Sequence, residues 1–143
     1  MKVAIIGSRN LTVDIANYIP NGTTKIISGG AKGIDRLAEK YADENNIPKL
    51  IIKPEYEKYG KSAPLRRNKT IVENADIVIA IWDGKSNGTK FTIEYAKKIR
   101  KTSEIYILWR ENNLMIYKRV VRQVLCTKKR AKNNQYSTLI KII

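Results

Sequence analysis

The sequence predicts an α/β domain in which a parallel β-sheet is covered by helices on both faces. Short apolar runs rich in β-branched residues recur along the chain, and they are continuous rather than alternating, as is typical of strands buried on both sides. Segments of helical periodicity separate these runs, so that strand and helix alternate. The apolar runs are residues 3–6, 26–27, 50–52, 77–81 and 105–108.

Helices are predicted in the four gaps between these runs. Residues 34–42 have the clearest pattern, because their apolar side chains recur on one helical face. These side chains are Ile34, Leu37, Ala38, Tyr41 and Ala42. The Asn-Asn-Ile-Pro stretch that follows is typical of a helix end. Residues 11–19, 62–75 and 89–101 fill the other gaps as helices of less regular pattern.

The alternation indicates an open sheet of Rossmann type with about five parallel strands in the order 3-2-1-4-5. We assign residues 1–110 to this domain and residues 111–143 to a basic C-terminal extension. The spacing of Leu114, Tyr117, Val121 and Val124 predicts a sixth helix. The apolar end of the chain is left open as a docked helix, an edge strand or a subunit contact.

The composition excludes several chemistries. The chain has 143 residues, one cysteine and no histidine, which excludes an internal disulfide and a Ser-His-Asp nucleophile system. It also leaves Cys126 without a second cysteine or histidine for a zinc site. No run approaches the ~20 apolar residues of a membrane helix, and the start lacks a secretory-signal pattern. We therefore expect a cytoplasmic protein without a membrane partner.

The positive charge is concentrated towards the C-terminal end. The formal net charge is +15, and residues 97–143 hold 13 Lys/Arg against 2 Asp/Glu, a balance of +11. Residues 1–96 hold 15 Lys/Arg against 11 Asp/Glu, a balance of +4. A basic segment attracts polyanions whatever their sequence, so nucleic acid is a possible partner through the C-terminal region. A solvated, lysine-rich surface is the alternative interpretation.

Small and charged residues follow three of the predicted strands, at the edge where open parallel sheets bind ligands. Glycines there leave backbone N–H groups uncovered, and helix starts add partial positive charge, so both favour a phosphate or another anion. We therefore predict a phosphate-binding site at this edge, and we expect Gly30→Val to abolish binding without harming the fold. The residues are Gly7, Ser8, Arg9, Ser28, Gly29, Gly30, Gly33, Trp82, Asp83, Gly84, Ser86, Gly88 and Thr89.

Two familiar nucleotide motifs do not fit. The P-loop pattern GxxxxGK[ST] would need a glycine where the chain has Ile79. The dinucleotide fingerprint GxGxxG would begin at Ser28, and Lys53 stands where its later acidic residue is expected. An NAD dehydrogenase is therefore disfavoured.

Two further features have open interpretations. Asp35 in a first helical turn is favoured by the helix dipole alone, or it binds ribose hydroxyls or Mg²⁺ beside a phosphorylated ligand. The pair Arg66 and Arg67, followed by Asn68, is either a surface feature or a source of cations above the crevice.

Four stretches together resemble the SLOG superfamily, most closely its YspA, or cpYpsA-related, branch. They are VAIIGSRN, IISGGAKGIDRLAEKYA, YGKSAPLRRN and ADIVIAIWDGKSNGT, and the resemblance spans residues 2–108. It implies a Rossmann-like domain that binds a nucleotide or a nucleotide-derived, ADP-ribose-like ligand as a sensor, carrier or sequestering module. The ligand contacts it implies are those of the three loops together with Asp35, Arg67 and Asn68. Relatives commonly pair, so we expect a homodimer or a higher homo-oligomer.

Two relatives define the alternatives. The LOG phosphoribohydrolases cleave N-glycosidic bonds with a PGGxGTxxE motif, but here the glutamate falls two positions late, at Glu94. For an enzyme of this kind, a nucleotide hydrolase, Asp35, Asp83 and Glu94 are the candidate acid–base residues. The DprA family shares the GSR and SGxAxGID-like loops and binds single-stranded DNA. Its partner suits the basic C-terminal region, but the low aromatic content suits it less.

Overall fold

The computed structural model describes residues 1–111, 114–123 and 140–141, with side chains up to residue 109. One sheet contains seven strands. They are β1 (Lys2–Gly7), β2 (Lys25–Ser28), β3 (Lys49–Ile51), β4 (Ile77–Trp82), β5 (Thr102–Glu111), β6 (Leu114–Gln123) and β7 (Ile140–Lys141). Their order is β3-β2-β1-β4-β5-β6-β7. The first five strands are parallel in the predicted order 3-2-1-4-5, which confirms the Rossmann-like α/β fold.

Within the described residues, four α-helices connect or flank the parallel strands. They are α1 (Ile34–Glu44), α2 (Tyr56–Tyr59), α3 (Ala63–Asn74) and α4 (Asn87–Lys98). The predicted helices over residues 34–42, 62–75 and 89–101 are therefore confirmed apart from their exact ends. In the described part of the chain, no helix is long and apolar enough to cross a membrane.

The helix predicted over residues 11–19 is wrong, because this segment forms only a single 3-10 turn, Ile15–Tyr18. Asp14 begins the turn by accepting a hydrogen bond from the Ala16 amide at 3.2 Å. Ile19 ends it in an extended conformation. The residue before a proline avoids the helical region, so Pro20 limits the segment to one turn.

Two apolar cores lie on opposite faces of the sheet, because successive side chains of each strand point to opposite sides. Val3, Ile5 and Ile79 face α1, whereas Ala4 and Ile6 face α3 and α4. All of these side chains are buried, as the continuous apolar runs predicted. At the sheet edge, Leu50 of β3 remains 38% exposed because only one neighbouring strand covers it.

The sixth helix predicted from Leu114, Tyr117 and Val121 is wrong, because residues 114–123 form β6, antiparallel to β5. Val124 lies outside the described residues. The segment is rich in β-branched and aromatic side chains, which favour a strand, and pairing with the ten-residue β5 satisfies its backbone. Of the alternatives for the apolar chain end, an edge strand is found at Ile140–Lys141, paired with β6.

The end of β1 lies very close to the start of α1, and this contact requires glycine. A Cβ atom at Gly7 would collide with the Ile81 carbonyl oxygen and with the Ile34 side chain. Gly33, with a φ of 76°, packs in the same way, since its Cβ would lie 2.6 Å from the Ser8 carbonyl oxygen. Because both residues are glycine, the first turn of α1 can pack against the carboxyl ends of β1 and β4.

We predict that Gly7→Ala lowers the free energy of unfolding by about 3 kcal/mol, because the added methyl group must displace backbone or the buried Ile34. Chemical denaturation followed by circular dichroism measures this. Gly88→Ala is the matched control. Nothing lies within 4 Å of a Cβ at Gly88, so we expect a change within about 1 kcal/mol, towards higher stability. Equal stabilities of the two variants would contradict the packing role of Gly7.

Candidate functional site

An open cleft lies at the carboxyl edge of the sheet, above the point between β1 and β4 where the strand order reverses. Its empty volume is about 520 Å³ when the open solvent at its mouth is included. Segments far apart in the sequence form its walls. The lining residues are Ile6, Gly7, Arg9, Ala31, Asp35, Pro64, Leu65, Arg67, Asn68, Ser86, Gly88, Thr89 and Thr92.

The start of α4 forms one wall of the cleft. Ser86 caps this helix: its hydroxyl oxygen accepts from the Thr89 amide at 3.5 Å and from the Thr89 hydroxyl at 3.1 Å. The first backbone N–H groups of a helix have no partner within the helix. Gly88 and Thr89 line the cleft, so the positive end of the α4 dipole adjoins it.

The loop before α4 is fixed by its own polar side chains. Asp83 accepts hydrogen bonds from the amides of Lys85, at 2.9 Å, and Ser86, at 2.8 Å. Partial burial alone would raise the pKa of Asp83, but these bonds and the Ser8 hydroxyl lower it below its usual value. Trp82 donates from its indole N–H to the Ser86 carbonyl at 3.0 Å. These contacts make Asp83 and Trp82 supports of the loop.

Ser8 connects this loop to β1. Its side chain is fully buried, and its hydroxyl oxygen accepts from the Asp83 amide at 3.1 Å. The Ser8 amide donates to the Ile81 carbonyl at 3.0 Å, which extends the pairing of β1 and β4 by one residue. Ser8 is therefore buried beneath the cleft and does not face it.

The Asp35 carboxylate holds the glycine-rich loop that follows β2. It is 5% exposed and accepts from the amides of Gly29, at 3.2 Å, and Ala31, at 3.4 Å. Burial raises the pKa of Asp35 above its usual value, although Arg67 and these amides, with that of Gly7, work in the opposite direction. The Ser28 hydroxyl donates to the Asp35 carbonyl at 3.5 Å.

Arg67 joins α3 to the same loop. Its guanidinium donates to the Gly29 carbonyl, and its Nε atom is buried without a hydrogen-bond partner. Burial lowers the pKa of Arg67; the charge of Asp35 and the Tyr56 hydroxyl oppose this, and the positive charge of Arg9 adds to it. Arg9 and Arg67 both line the cleft, so two guanidinium groups share it.

The cleft therefore carries an excess of positive charge. Of its lining side chains, Arg9 and Arg67 are cationic and Asp35 alone is acidic. Arg9 is exposed, and within the described part of the chain it forms no ion pair. An anion bound between the two guanidinium groups, in addition to the Asp35 carboxylate, would relieve their mutual repulsion.

Asn68 fixes the distance between α3 and α4. Its amide donates to the Thr92 hydroxyl at 2.8 Å and to the Gly88 carbonyl at 3.4 Å. Thr92 and an apolar wall also line the cleft without having been predicted from the sequence. The wall consists of Ile6, Pro64 and Leu65. The spacing of Gly88 and Thr92, one helical turn apart, is a signal that could have indicated Thr92.

The structure brings part of the predicted set to the cleft. Gly7, Arg9, Asp35, Arg67, Asn68, Ser86, Gly88 and Thr89 line it. The remaining loop residues support these or lie beside them: Ser8, Ser28, Gly29, Gly30, Gly33, Trp82, Asp83 and Gly84. Glu94 is exposed on α4 and does not line the cleft.

The expectation that Gly30→Val spares the fold is wrong. Gly30 has a φ of 68°, a conformation that side-chain-bearing residues rarely adopt. A Cβ there would lie 2.9 Å from the Ile51 side chain. This glycine serves the turn after β2, and another position must test the cleft.

The described side chains include no group of three or more Asp, Glu, Cys or His residues arranged to hold a metal ion.

The fold and this cleft define a Rossmann-like α/β protein with a basic cleft at the switch point of its sheet. No protein-family model matches the chain, and no curated protein matches it. Among solved structures, it is similar to DNA processing protein A from Helicobacter pylori, which was described for its single-stranded DNA binding mode. The TM-score is 0.55 and the identity 25%, over 79% of this chain and 67% of that chain. The similarity supports the distant relation to DprA.

We predict that burial of Asp35 makes folding stability depend on pH. The folded-state pKa is above the usual 3.8, so protonation contributes stability that is fully present below 3.8 and is lost as the pH rises through the folded-state pKa. Asp35→Asn cannot lose this proton. The unfolding free energy of the variant relative to wild type should therefore increase with pH across that window. Denaturant titrations of both proteins from acid to neutral pH measure it, and parallel pH profiles would contradict it.

Proposed function

We propose that the protein binds a nucleotide or a nucleotide-derived, ADP-ribose-like ligand in this cleft, with a phosphate between Arg9 and the start of α4. The observation that carries the proposal is the pair of guanidinium groups, Arg9 and Arg67, in one cleft beside a helix N-terminus. Helix N-termini and arginine both suit phosphate, which they bind through aligned N–H donors and positive charge. The apolar wall at Pro64 and Leu65 suits the less polar part of the same ligand.

Gly88 supports this assignment independently. Its φ is not in the left-handed region, and nothing lies within 4 Å of a Cβ built on it. Neither the backbone conformation nor the packing of the described residues therefore requires glycine there. A side chain at this position would instead extend into the space where we place the phosphate.

The carboxylates favour binding without turnover. The Asp35 and Asp83 side chains accept backbone hydrogen bonds that hold loops in place, and Glu94 is exposed away from the cleft. A general acid or base must reach the reacting atom within hydrogen-bond distance. We therefore propose a sensor, carrier or sequestering module, in which Mg²⁺ would enter only with the phosphates of the ligand.

Single-stranded DNA binding is the second candidate, favoured by the similarity to DNA processing protein A. The phosphates of a strand would use the same cleft, and the +11 balance of residues 97–143 would attract the rest of the polymer. The two functions share the phosphate contact and differ in how much of the basic surface takes part.

The cleft is tested by two variants, Arg9→Gln and Gly88→Leu, with a panel of nucleoside monophosphates, diphosphates and ADP-ribose. We expect each variant to weaken binding of the wild-type ligand at least about tenfold, through loss of a charge-assisted hydrogen bond or through steric block. Isothermal titration calorimetry measures the affinity. Mass spectrometry of the mixture detects cleavage, and recovery of the ligand intact supports binding without turnover.

Two control variants match the charge and size of these changes. Lys85→Gln removes a positive charge from the loop before α4, and Asn87→Leu adds the same side chain beside Gly88; neither residue lines the cleft. We expect both to bind like wild type. Equal losses in the controls, or unchanged affinity in Arg9→Gln and Gly88→Leu, would place the ligand elsewhere.

DNA binding is tested by the salt dependence of the affinity for oligo(dT). Substituting Lys128, Lys129, Arg130 and Lys132 by Gln should reduce the slope of log K against log salt by up to about 3, since each phosphate contact on a single strand contributes ~0.7. Fluorescence anisotropy measures the slope. The nucleotide affinity of the same variant should not change. An unchanged slope would remove the basic segment from DNA binding.

A further inference from the structure

Cationic side chains gather at the edge of the sheet where the parallel strands begin, which is the edge opposite the cleft. Lys2 of β1 pairs in register with Lys25 of β2. Two residues further along each strand, Ala4 and Ile27 belong to the apolar core beneath α3 and α4. Since side chains two positions apart share a face, both lysines lie on that side of the sheet. Like charges on neighbouring strands repel each other, so this pair does not itself stabilise the sheet.

The C-terminal end of α4 brings three more cations to the same edge and the same side of the sheet. Lys97 and Lys98 belong to the last turn of α4, and Arg100 follows just before β5 begins at Thr102. Thr102 is in register with the first residue of β4, whose other neighbour in the sheet is β1. Adjacent strands lie about 4.8 Å apart, so the row from β2 to β5 spans only about 15 Å.

The five residues of this amino-edge surface are Lys2, Lys25, Lys97, Lys98 and Arg100. Lys25 is partly buried and the other four are exposed, and within the described part of the chain none of the five forms an ion pair. The Asp76 carboxylate, just before β4, accepts from the Lys2 amide at 2.6 Å. Glu73, in the last turn of α3, accepts from the Tyr95 hydroxyl. These two carboxylates offset the five cations only in part.

Arg100 occupies a position where helices prefer glycine. α4 ends in a Schellman motif, in which the Lys101 amide donates to the Ala96 carbonyl at 2.8 Å and the Arg100 amide to the Lys97 carbonyl at 3.0 Å. The motif holds Arg100 at a φ of 55°, a conformation that is unfavourable for a residue with a Cβ atom. The helix dipole accounts for cations such as Lys97 and Lys98, but it does not require a side chain at this strained position. The arginine therefore indicates a role outside the fold.

The basic C-terminal region is attached to the same edge. β6 runs antiparallel to β5 and ends at Gln123, which pairs with Ser103 near the start of β5. The next cations in the sequence, Lys128, Lys129 and Arg130, begin five positions later. Five residues span at most about 18 Å, so the point of attachment of this tract is close to the amino-edge surface and far from the cleft.

We propose that the amino-edge surface binds the backbone of a double-stranded nucleic acid. Lysine and arginine neutralise phosphates whatever the base sequence, and the five residues include no aromatic ring on which an unpaired base could stack. A DNA duplex carries one negative charge per about 1.7 Å of its axis, so a row of this length can contact several phosphates. Because the cleft lies at the opposite edge, this binding is independent of the occupant of the cleft and goes beyond the proposed function.

The apolar residues at this edge are too few to favour an anionic membrane as the partner. Binding to a membrane surface requires an apolar face in addition to positive charge. Among the described residues, the exposed large apolar side chains near the amino-edge surface are those of Met1 and Ile99, and isolated residues of this kind are ordinary on protein surfaces.

The test compares two variants of the full chain that lose the same charge at opposite edges of the sheet. The amino-edge variant replaces its five residues by Gln. The control replaces by Gln five exposed lysines of the loops and helix starts at the carboxyl edge, none of which lines the cleft: Lys32, Lys53, Lys61, Lys85 and Lys90. Fluorescence anisotropy measures binding to a short DNA duplex, to the RNA duplex of the same sequence and to one DNA strand alone. Circular dichroism confirms that both variants fold.

We expect the amino-edge variant to bind the preferred duplex at least about tenfold more weakly than wild type, and its slope of log K against log salt to fall by up to about 4, since each phosphate contact on a duplex contributes ~0.9. The control should keep most of the affinity and of the slope. Equal losses in the two variants would overturn the proposal, because net charge rather than this surface would then bind. Tighter binding of the wild type to the single strand would also overturn it. So would a loss confined to vesicles of phosphatidylserine and phosphatidylcholine.

Arg100 allows function to be separated from stability at one position. Arg100→Gly removes the charge together with the left-handed strain, so we expect it to unfold at a higher denaturant concentration than wild type and yet to bind the duplex about threefold more weakly. Arg100→Lys keeps both the charge and the strain, and should bind within about twofold of wild type. Unchanged duplex affinity in Arg100→Gly would contradict the role of this side chain. Nucleotide affinities measured by calorimetry should be unchanged in all of these variants, so the outcome is independent of the proposed function.

Discussion

The carboxyl edge of the sheet depends on the buried carboxylate of Asp35. It accepts hydrogen bonds from the Gly29 and Ala31 amides and lies opposite the Arg67 guanidinium, which donates in turn to the Gly29 carbonyl. The glycine-rich loop after β2, the first turn of α1 and the side of α3 are thereby fixed against one another. Without the carboxylate, these buried amides would lose their partners, and an unpaired buried backbone group costs free energy comparable to a lost hydrogen bond.

This arrangement separates the glycines into two classes that look alike in the sequence. Gly7, Gly29 and Gly33 are required because neighbouring atoms occupy the place of a Cβ. A Cβ at Gly88 would meet nothing within 4 Å, so packing does not require glycine there, and we propose that its missing side chain leaves room for the ligand. A glycine-rich strand-to-helix junction signals close approach of something to the backbone. The pattern does not distinguish a neighbouring group of the same protein from a ligand. For this reason the sequence pattern assigned Gly30 to a ligand, whereas this glycine serves the turn after β2.

Local patterns predicted the parallel part of the fold because burial on both faces leaves a continuous apolar run, as in Val78 and Ile79, and crossover helices leave a 3.6-residue period. They failed at residues 114–123, where helical spacing and β-branched content conflict and pairing with β5 decides the outcome. Two asparagines, positions 112 and 113, separate these β-rich segments, a sequence signal for a hairpin that was overlooked. The Asp35–Arg67 pair could not be predicted, because its members are 32 positions apart and only the packing of α3 brings them together.

The openness of the cleft explains why a small nucleotide and a single strand are both proposed as its ligands. Its two guanidinium groups and the start of α4 can hold one phosphate, and both ligands possess one. A small ligand must then gain its remaining affinity inside the cleft, from apolar contacts at Leu65 and its neighbours. A strand can instead gain it outside, from charge distributed along the chain and released counterions. The apolar contacts would be insensitive to salt, whereas counterion release would not. Ionic strength would therefore separate the two proposed functions, which would both use Arg9.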